Sequence, residues 1–310
     1  MMMGFADASR SKAGQSCRNL LSIDDDVFAA HFDRYPFKLT HNLAAHPLLQ
    51  LPRLVGLARS LNRPILYFKG DLAIDQTDPA DAPAAKRTFV ERDLARPDLS
   101  AVDTIAQIES ARAWMQLRDV GSDPEYAALL AEIIDEFREP AERVAPGLSA
   151  PRADIFVSSP GATTPFHLDE EHNFLLQIRG AKKLSIADGF DTEVLDPGRL
   201  CAYFAGSGEL VPYSERLEQH AVHVDLQQGE GVHIPPCHPH WVQNGSDVSI
   251  SLGILWFSDV TARRRHLYRV NRWLERAGLK PAAPGERRTT DVMKSLPLTI
   301  KRRLRRWSSH

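Results

Sequence analysis

His167 and Asp169 stand two residues apart in Thr163-Thr164-Pro165-Phe166-His167-Leu168-Asp169. Side chains along a strand alternate with period two, so a strand here turns both groups toward one spot. An imidazole and a carboxylate placed together are two members of a metal site. Candidates for a third follow far downstream, where His233, His238 and His240 surround Ile234-Pro235-Pro236-Cys237. His238 and His240 would share a strand face, whereas His233 precedes the Pro-Pro break. Spacing alone leaves that choice open. Two imidazoles and one carboxylate on one side of a metal, with open positions opposite, is the set that holds non-haem Fe(II) for oxygen chemistry. With 12 histidines in the chain, the weight rests on spacing rather than on any single His.

Further polar groups follow at intervals along an apolar hairpin: Asn173, Gln177, Arg179 and Lys182. A lone Lys in a strand usually runs its stem along the surface and keeps its ammonium in water. Lys182 opens a new strand just past Arg179-Gly180-Ala181, and buried there its ammonium could pair with the carboxylate of a small acid. Thr164 could add a hydroxyl. Cys237, three residues before His240, reads as a small buried filler.

The elements that position these groups begin near Pro151. Ile155–Val157, Phe174–Ile178, Lys183–Ile186, Val222–Val224, Val232–Ile234 and Val248–Phe257 read as short strands divided by Gly, Pro and Asp turns. Such a run predicts a sandwich or barrel. Before it, residues 1 to about 25 read as loosely attached, and helical spacing runs from Asp25 to Leu61. Pro64–Phe68 reads as an early strand and 71–100 as loop. A helix is expected over Val102–Leu117, burying Ile105, Ile108 and Trp114. Another is expected over Pro124–Glu139, with a Ser122/Glu125 capping box and Pro140 as its stop. After the strands, a helix runs Thr261–Ala277 to Gly278. Residues 281–290 read as a linker. The end, through Lys301-Arg302-Arg303-Leu304-Arg305-Arg306, is basic and reads as a solvated tail.

The chain has 310 residues, 43% of them hydrophobic, enough for a sizeable core. A net charge of −2 provides no global field for nucleic acid or an anionic membrane. No apolar run approaches the length of a transmembrane helix, and the first residues lack the apolar core of a secretory signal. Cys17, Cys201 and Cys237 are odd in number and scattered, which predicts a reducing, cytoplasmic setting.

The motif Thr164-Pro165-x-His167-x-Asp169-Glu170-x-x-Asn173-Phe174-x-x-Gln177-Ile178-x-Gly180-x-Lys182 is followed by Gly229-Glu230-x-Val232-x-Ile234-Pro235 leading to His240. Together they resemble the JmjC and cupin-like family of Fe(II)/2-oxoglutarate oxygenases, its asparaginyl hydroxylases in particular. The resemblance covers roughly residues 150–258, about a third of the chain. It implies a mainly β fold with flanking helices, a double-stranded β-helix of cupin type. By carry-over, His167, Asp169 and His240 would ligate Fe(II), with His238 as the fallback for His240. Thr164 and Lys182 would bind the distal carboxylate of 2-oxoglutarate, and Asn173 would lie near its metal-binding end. The sequence departs on the last strand, where the family has a second Asn. Aligned on Trp256, this chain has Ile254 or Gly253 there.

The implied division is a flexible 1–25, a helical 26–150 packing on the barrel, a barrel core at 151–258 and C-terminal helices with the basic tail at 259–310. The implied activity is hydroxylation of a protein side chain using molecular oxygen, or demethylation by the same chemistry. The C-terminal helices would support a homodimer. A metal-binding cupin without turnover and a small-molecule hydroxylase are the alternatives.

Overall fold

A computed structural model describes residues 6–7, 19–61, 65–69, 100–204 and 215–296. In chain order the elements begin with β1 (Ala6–Asp7), β2 (Leu21–Ser22), α1 (Asp25–His31), β3 (Phe37–His41), α2 (Leu51–Ser60), β4 (Ile65–Lys69), α3 (Ala101–Ala106) and β5 (Ala113–Leu117). They continue with α4 (Pro124–Val144), β6 (Ser149–Ser158), β7 (Thr163–His167), β8 (His172–Arg179), β9 (Lys182–Ala187), α5 (Pro197–Phe204) and α6 (Glu215–Gln219). Then come β10 (Ala221–Leu226), β11 (Glu230–Ile234), β12 (His240–Asn244), β13 (Ser249–Phe257), α7 (Asp259–Arg276) and α8 (288–296).

The strands form two sheets. The larger runs β1-β3-β11-β8-β13-β6-β5-β4, with β2 also on β3; the smaller runs β10-β9-β12-β7. Among the described residues, all strand pairs are antiparallel except β1 with β3. One apolar cluster draws Leu175, Val232 and Ile234 from the larger sheet and Leu184, Ile186, Val224, Leu226 and Val242 from the smaller. The faces carrying these residues therefore pack on each other. The largest cluster lies on the other side of the larger sheet, where Ile250, Leu252, Ile254 and Trp256 of β13 meet Ile133, Ile134 and Phe137 of α4.

Each of the expected strands from Ile155 onward forms. So does the helix ending before Gly278, whose φ of +81° suits a glycine stop. The N-terminal half departs in several places. The stretch Asp25–Leu61 is two helices around a strand, not one helical run: Phe37, Leu39 and His41 of β3 are buried and alternate with less buried neighbours, a period of two. The helix expected over Val102–Leu117 ends at Ala106, and Ala113–Leu117 is a strand between β4 and β6. Arg112, at φ +51°, breaks the run between them. Ile105, Ile108 and Trp114 are nonetheless buried.

α4 continues past Pro140 to Val144. The last turn packs Ala141 in the core, and the Glu142 carboxylate accepts the Gly147 and Leu148 N–H groups, each at 2.8 Å. These contacts offset the hydrogen bond that Pro140 removes. Its N-cap is Asp123, which accepts from Glu125 N–H, rather than Ser122. The segment just before α1 is held to the fold, since Leu20 and Leu21 N–H groups both donate to Glu136 at 2.6 Å. Residue 288 already begins α8, inside the expected linker. Of the loop expected at 71–100, residues 71–99 lie outside the described residues, as does the basic tail at 301–306.

Candidate metal centre

β7, β12 and β9 carry the site. In register, His240 lies opposite His167 on one side and Ile186 on the other, with an irregularity in the β7 pairing between His240 and Val242. Directly opposed residues share a face. The His167 and His240 rings stand 4.2 Å apart between centroids. Asp169 is not on the strand, as the two-residue spacing predicted, because β7 ends at His167. A backbone bond places it instead: the Cys237 N–H donates to the Asp169 carbonyl at 2.7 Å, tying the loop after β7 to the turn before β12.

Ligating atoms of His167, Asp169 and His240 then all lie within 4.8 Å of one another. The Asp169 carboxylate stands 3.8 Å from His240 Nε2. The His240 Nδ1 lies 2.9 Å from the His238 carbonyl, so Nδ1–H donates there and Nε2 keeps its lone pair toward the carboxylate. Burial first, and His167 second, push His240 down to about 4, so it is neutral at pH 7, as a ligand must be. Burial opposes the charge of Asp169, but the pull of His240, His167 and Arg152 outweighs it and holds the carboxyl below its ordinary range.

His238 and His233 point elsewhere. His238 Nδ1 lies 3.2 Å from the Pro236 carbonyl, and its Nε2 lies 3.7 Å from Asp188. His233 packs among the rings of Phe32, Phe37 and Phe174. Burial pushes the Cys237 thiol up to about 12, so it is no thiolate ligand. The donor set is thus two imidazoles and one carboxylate, which suits a divalent first-row ion.

The remaining predicted residues lie around this set. Asn173 Nδ2 donates to Asp169 at 3.4 Å, and Asn173 Oδ1 is buried without a hydrogen-bond partner among the described residues. Val242 lies opposite both Thr164 and Leu184, and Lys182 lies opposite Asn244. Thr164, Lys182 and His240 therefore share the face turned toward the apolar cluster between the sheets. Lys182 is 6% exposed, and desolvation pushes its ammonium down to about 7.

Two contributors escaped the sequence reading. Asn244, buried with Oδ1 unpartnered among the described residues, faces Lys182. Its position four residues after His240 on one strand was the available signal. Arg152 joins Asp154 at 2.6 Å and Glu171 at 3.2 Å beside Asp169. The charged i, i+2 pair in Arg152-Ala153-Asp154 was its signal. On β13, Ile254 is committed to the outer core, and Gly253 faces Asn173. A Cβ at Gly253 would lie 3.1 Å from the Phe156 ring and 3.6 Å from Asn173 Oδ1, so that ring takes up room an Asn side chain would need.

The family of cupin-like domains matches this chain over residues 76–263. No curated protein matches the sequence. Among solved structures, the ribosomal oxygenase YcfD of Escherichia coli is similar at 16% identity and a TM-score of 0.47, over 89% of this chain and 65% of that one. The same oxygenase in complex with cobalt and 2-oxoglutarate is similar at 14% identity and a TM-score of 0.46, over 91% and 67%. A single-residue variant of the oxalate decarboxylase of B. subtilis aligns over 35% of this chain and 22% of that chain, at 15% identity and a TM-score of 0.23. The chain spans about two thirds of the length of the YcfD structures. Among the described residues, no helix is long and apolar enough to cross a membrane.

Proposed function

We infer the activity from a membership that the match establishes: the chain belongs to the family of cupin-like domains. We propose that it is an Fe(II)- and 2-oxoglutarate-dependent oxygenase of the JmjC-like kind, with His167, Asp169 and His240 as the metal ligands. The observation that carries this reading is the buried Lys182 ammonium on the face it shares with His240. A cupin that merely holds a metal has no use for a desolvated ammonium there; a bound dicarboxylate would supply the missing counter-charge.

Bound at this site, Fe(II) with 2-oxoglutarate and oxygen supplies oxidative decarboxylation of the cosubstrate coupled to hydroxylation of a substrate C–H bond. The chain's own residues supply position and dryness. The His238 carbonyl fixes the His240 ring through Nδ1–H. Lys182 and the Thr164 hydroxyl would hold the distal carboxylate. Asn173, already on Asp169, would orient the metal-proximal end. Leu184, Ile186, Val232 and Val242 keep water from the space between.

In this reading the two sheets close as a double-stranded β-helix over 151–258, with 1–25, 26–150 and 259–310 as the flanking segments. The substrate is a protein side chain, hydroxylated or demethylated by the same chemistry, and the setting is cytoplasmic. The exposed Trp273, Leu279 and Met293 on and after α7 favour a homodimer through the C-terminal helices. Gly253 favours the alternative of a metal-binding cupin without turnover, because it leaves the cosubstrate one support fewer.

The test needs no substrate. Anaerobic protein with Fe(II) is titrated with 2-oxoglutarate, and a weak visible charge-transfer band is expected that disappears in His240→Ala. Metal binding without the band would replace this reading with another cupin chemistry.

A further inference from the structure

A second concave site lies beside the turn that leads into β12, where Asp188 and Phe190 meet His238. It is a cavity of about 580 Å³ between the turn after α1, the loop after β9, the first half of α7 and residues 284–291. None of the triad residues lines it. Its size falls in the range of small-ligand pockets.

The charges around it are balanced, three carboxylates (Asp33, Asp188, Asp291) against three guanidiniums (Arg34, Arg263, Arg264). Three of these groups hold a buried atom with capacity to spare, Asp33 among them through its Oδ1. Asp291 is 4% exposed; its Oδ2 accepts the Gly285 N–H at 2.7 Å, and its Oδ1 is buried without a partner among the described residues. Arg264 donates through Nη2 to Asp33 at 3.3 Å, and its Nη1 is buried without a partner among the described residues. An unmet buried acceptor and an unmet buried donor each cost stability unless something binds them. Beside them, Phe190 is left 41% exposed under the Arg264 guanidinium, 4.5 Å from the ring centroid, and Leu267 adds apolar wall.

An anion alone in this cavity would meet three carboxylates, and a cation alone would meet three guanidiniums. A ligand bearing one charge of each sign satisfies both sets. We propose that the cavity binds a small zwitterion of the α-amino-acid class. Its ammonium sits on Asp291, its carboxylate on Arg264 with Arg263 at the rim, and its apolar body lies against Phe190 and Leu267. The site acts apart from the triad.

The experiment is calorimetric titration of the full chain, without iron or 2-oxoglutarate, with L-phenylalanine as the probe. Saturable one-to-one binding is expected. 2-Phenylethylamine and 3-phenylpropanoate, which keep one charge each, should bind at least about tenfold more weakly. Asp291→Asn should weaken L-phenylalanine by about tenfold or more. Arg263→Gln, at an exposed rim position, should weaken it by a few-fold. His240→Ala should bind as the unaltered chain does, which separates this site from the proposed metal centre. No heat at millimolar L-phenylalanine would overturn the proposal, as would equal binding of the single-charge probes. So would indifference to both the Asp291 and Arg263 changes, or loss of binding in His240→Ala.

Discussion

Strand β13 has two unlike faces. On one, Ile250, Leu252, Ile254 and Trp256 are buried in the largest apolar cluster under α4. On the other, Ser251 donates to Gln177 at 2.7 Å, Gln177 donates to Ser249 at 3.0 Å, and Gly253 lies against the Phe156 ring beside Asn173. The outer face is filled by shape and gains from every methyl group. The inner face keeps buried polar groups, some with unpartnered atoms, that an apolar filling would relieve. A protein selected only to fold has no reason to keep the second face. The difference separates what packs the larger sheet under α4 from what the sheets enclose.

Changes on the two faces should therefore move different observables. The largest effect is expected from Asp169→Ala or His240→Ala: loss of Fe(II)-dependent turnover by about a thousandfold or more, because three ligands become two. The melting temperature should stay within a few degrees, since neither side chain supports the core. Retained turnover would remove the triad from the mechanism. Next comes Trp256→Ala on the outer face, which should cost about 3–5 kcal/mol of stability by denaturant melting. Its half-saturating 2-oxoglutarate should be unchanged where the protein is folded; a parallel loss of affinity would show the two faces to be one unit.

Lys182→Met should raise the half-saturating 2-oxoglutarate by about a hundredfold, the size of a lost buried charge pair. It should not lower the melting temperature. The folded lysine, at about 7, lies below its ordinary value of 10.5, so between these pH values the unfolded chain binds more protons and stability rises with pH. The burial cost is greatest at and below pH 7, so any gain from Met is greatest there and shrinks toward pH 10. A drop in melting temperature at pH 7 would mean that Lys182 has a counter-charge of its own.

The smallest step, taken per pH unit, is the pH dependence itself. Binding of a dicarboxylate needs the ammonium form, so the half-saturating 2-oxoglutarate should rise about tenfold per unit above pH 7 in the unaltered chain. A flat profile from pH 7 to 9 would place the distal carboxylate away from Lys182.

Much of the candidate site was legible because its signals are local. The His167/Asp169 spacing, the Lys182 position after a turn and the strands from Ile155 onward are patterns within a few residues, and alternation fixes which of them share a face. The N-terminal half read less well for the same reason. Apolar residues within Asp25–Leu61 and Val102–Leu117 fit a helical spacing, but pairing of β3 with β11 and of β5 with β6 made parts of both stretches strands. A strand's stability comes from partners that local spacing does not see.

By itself, the sequence determined a candidate ligand set, a lysine out of place in an apolar strand, and a mainly β core flanked by helices. The tertiary structure decided which histidine joins the set. His238 and His240 are alike in sequence, and only the fold separates them: the register of β12 against β7 sets His240 opposite His167, while His238, in the turn before β12, lies beside Asp188. It also put Asp169 in place through a backbone bond from Cys237, and paired Asn244 with Lys182. Each of these joins residues distant in the chain. Period-two geometry fixes the face of a residue on its own strand, but only the folded register fixes what that face meets.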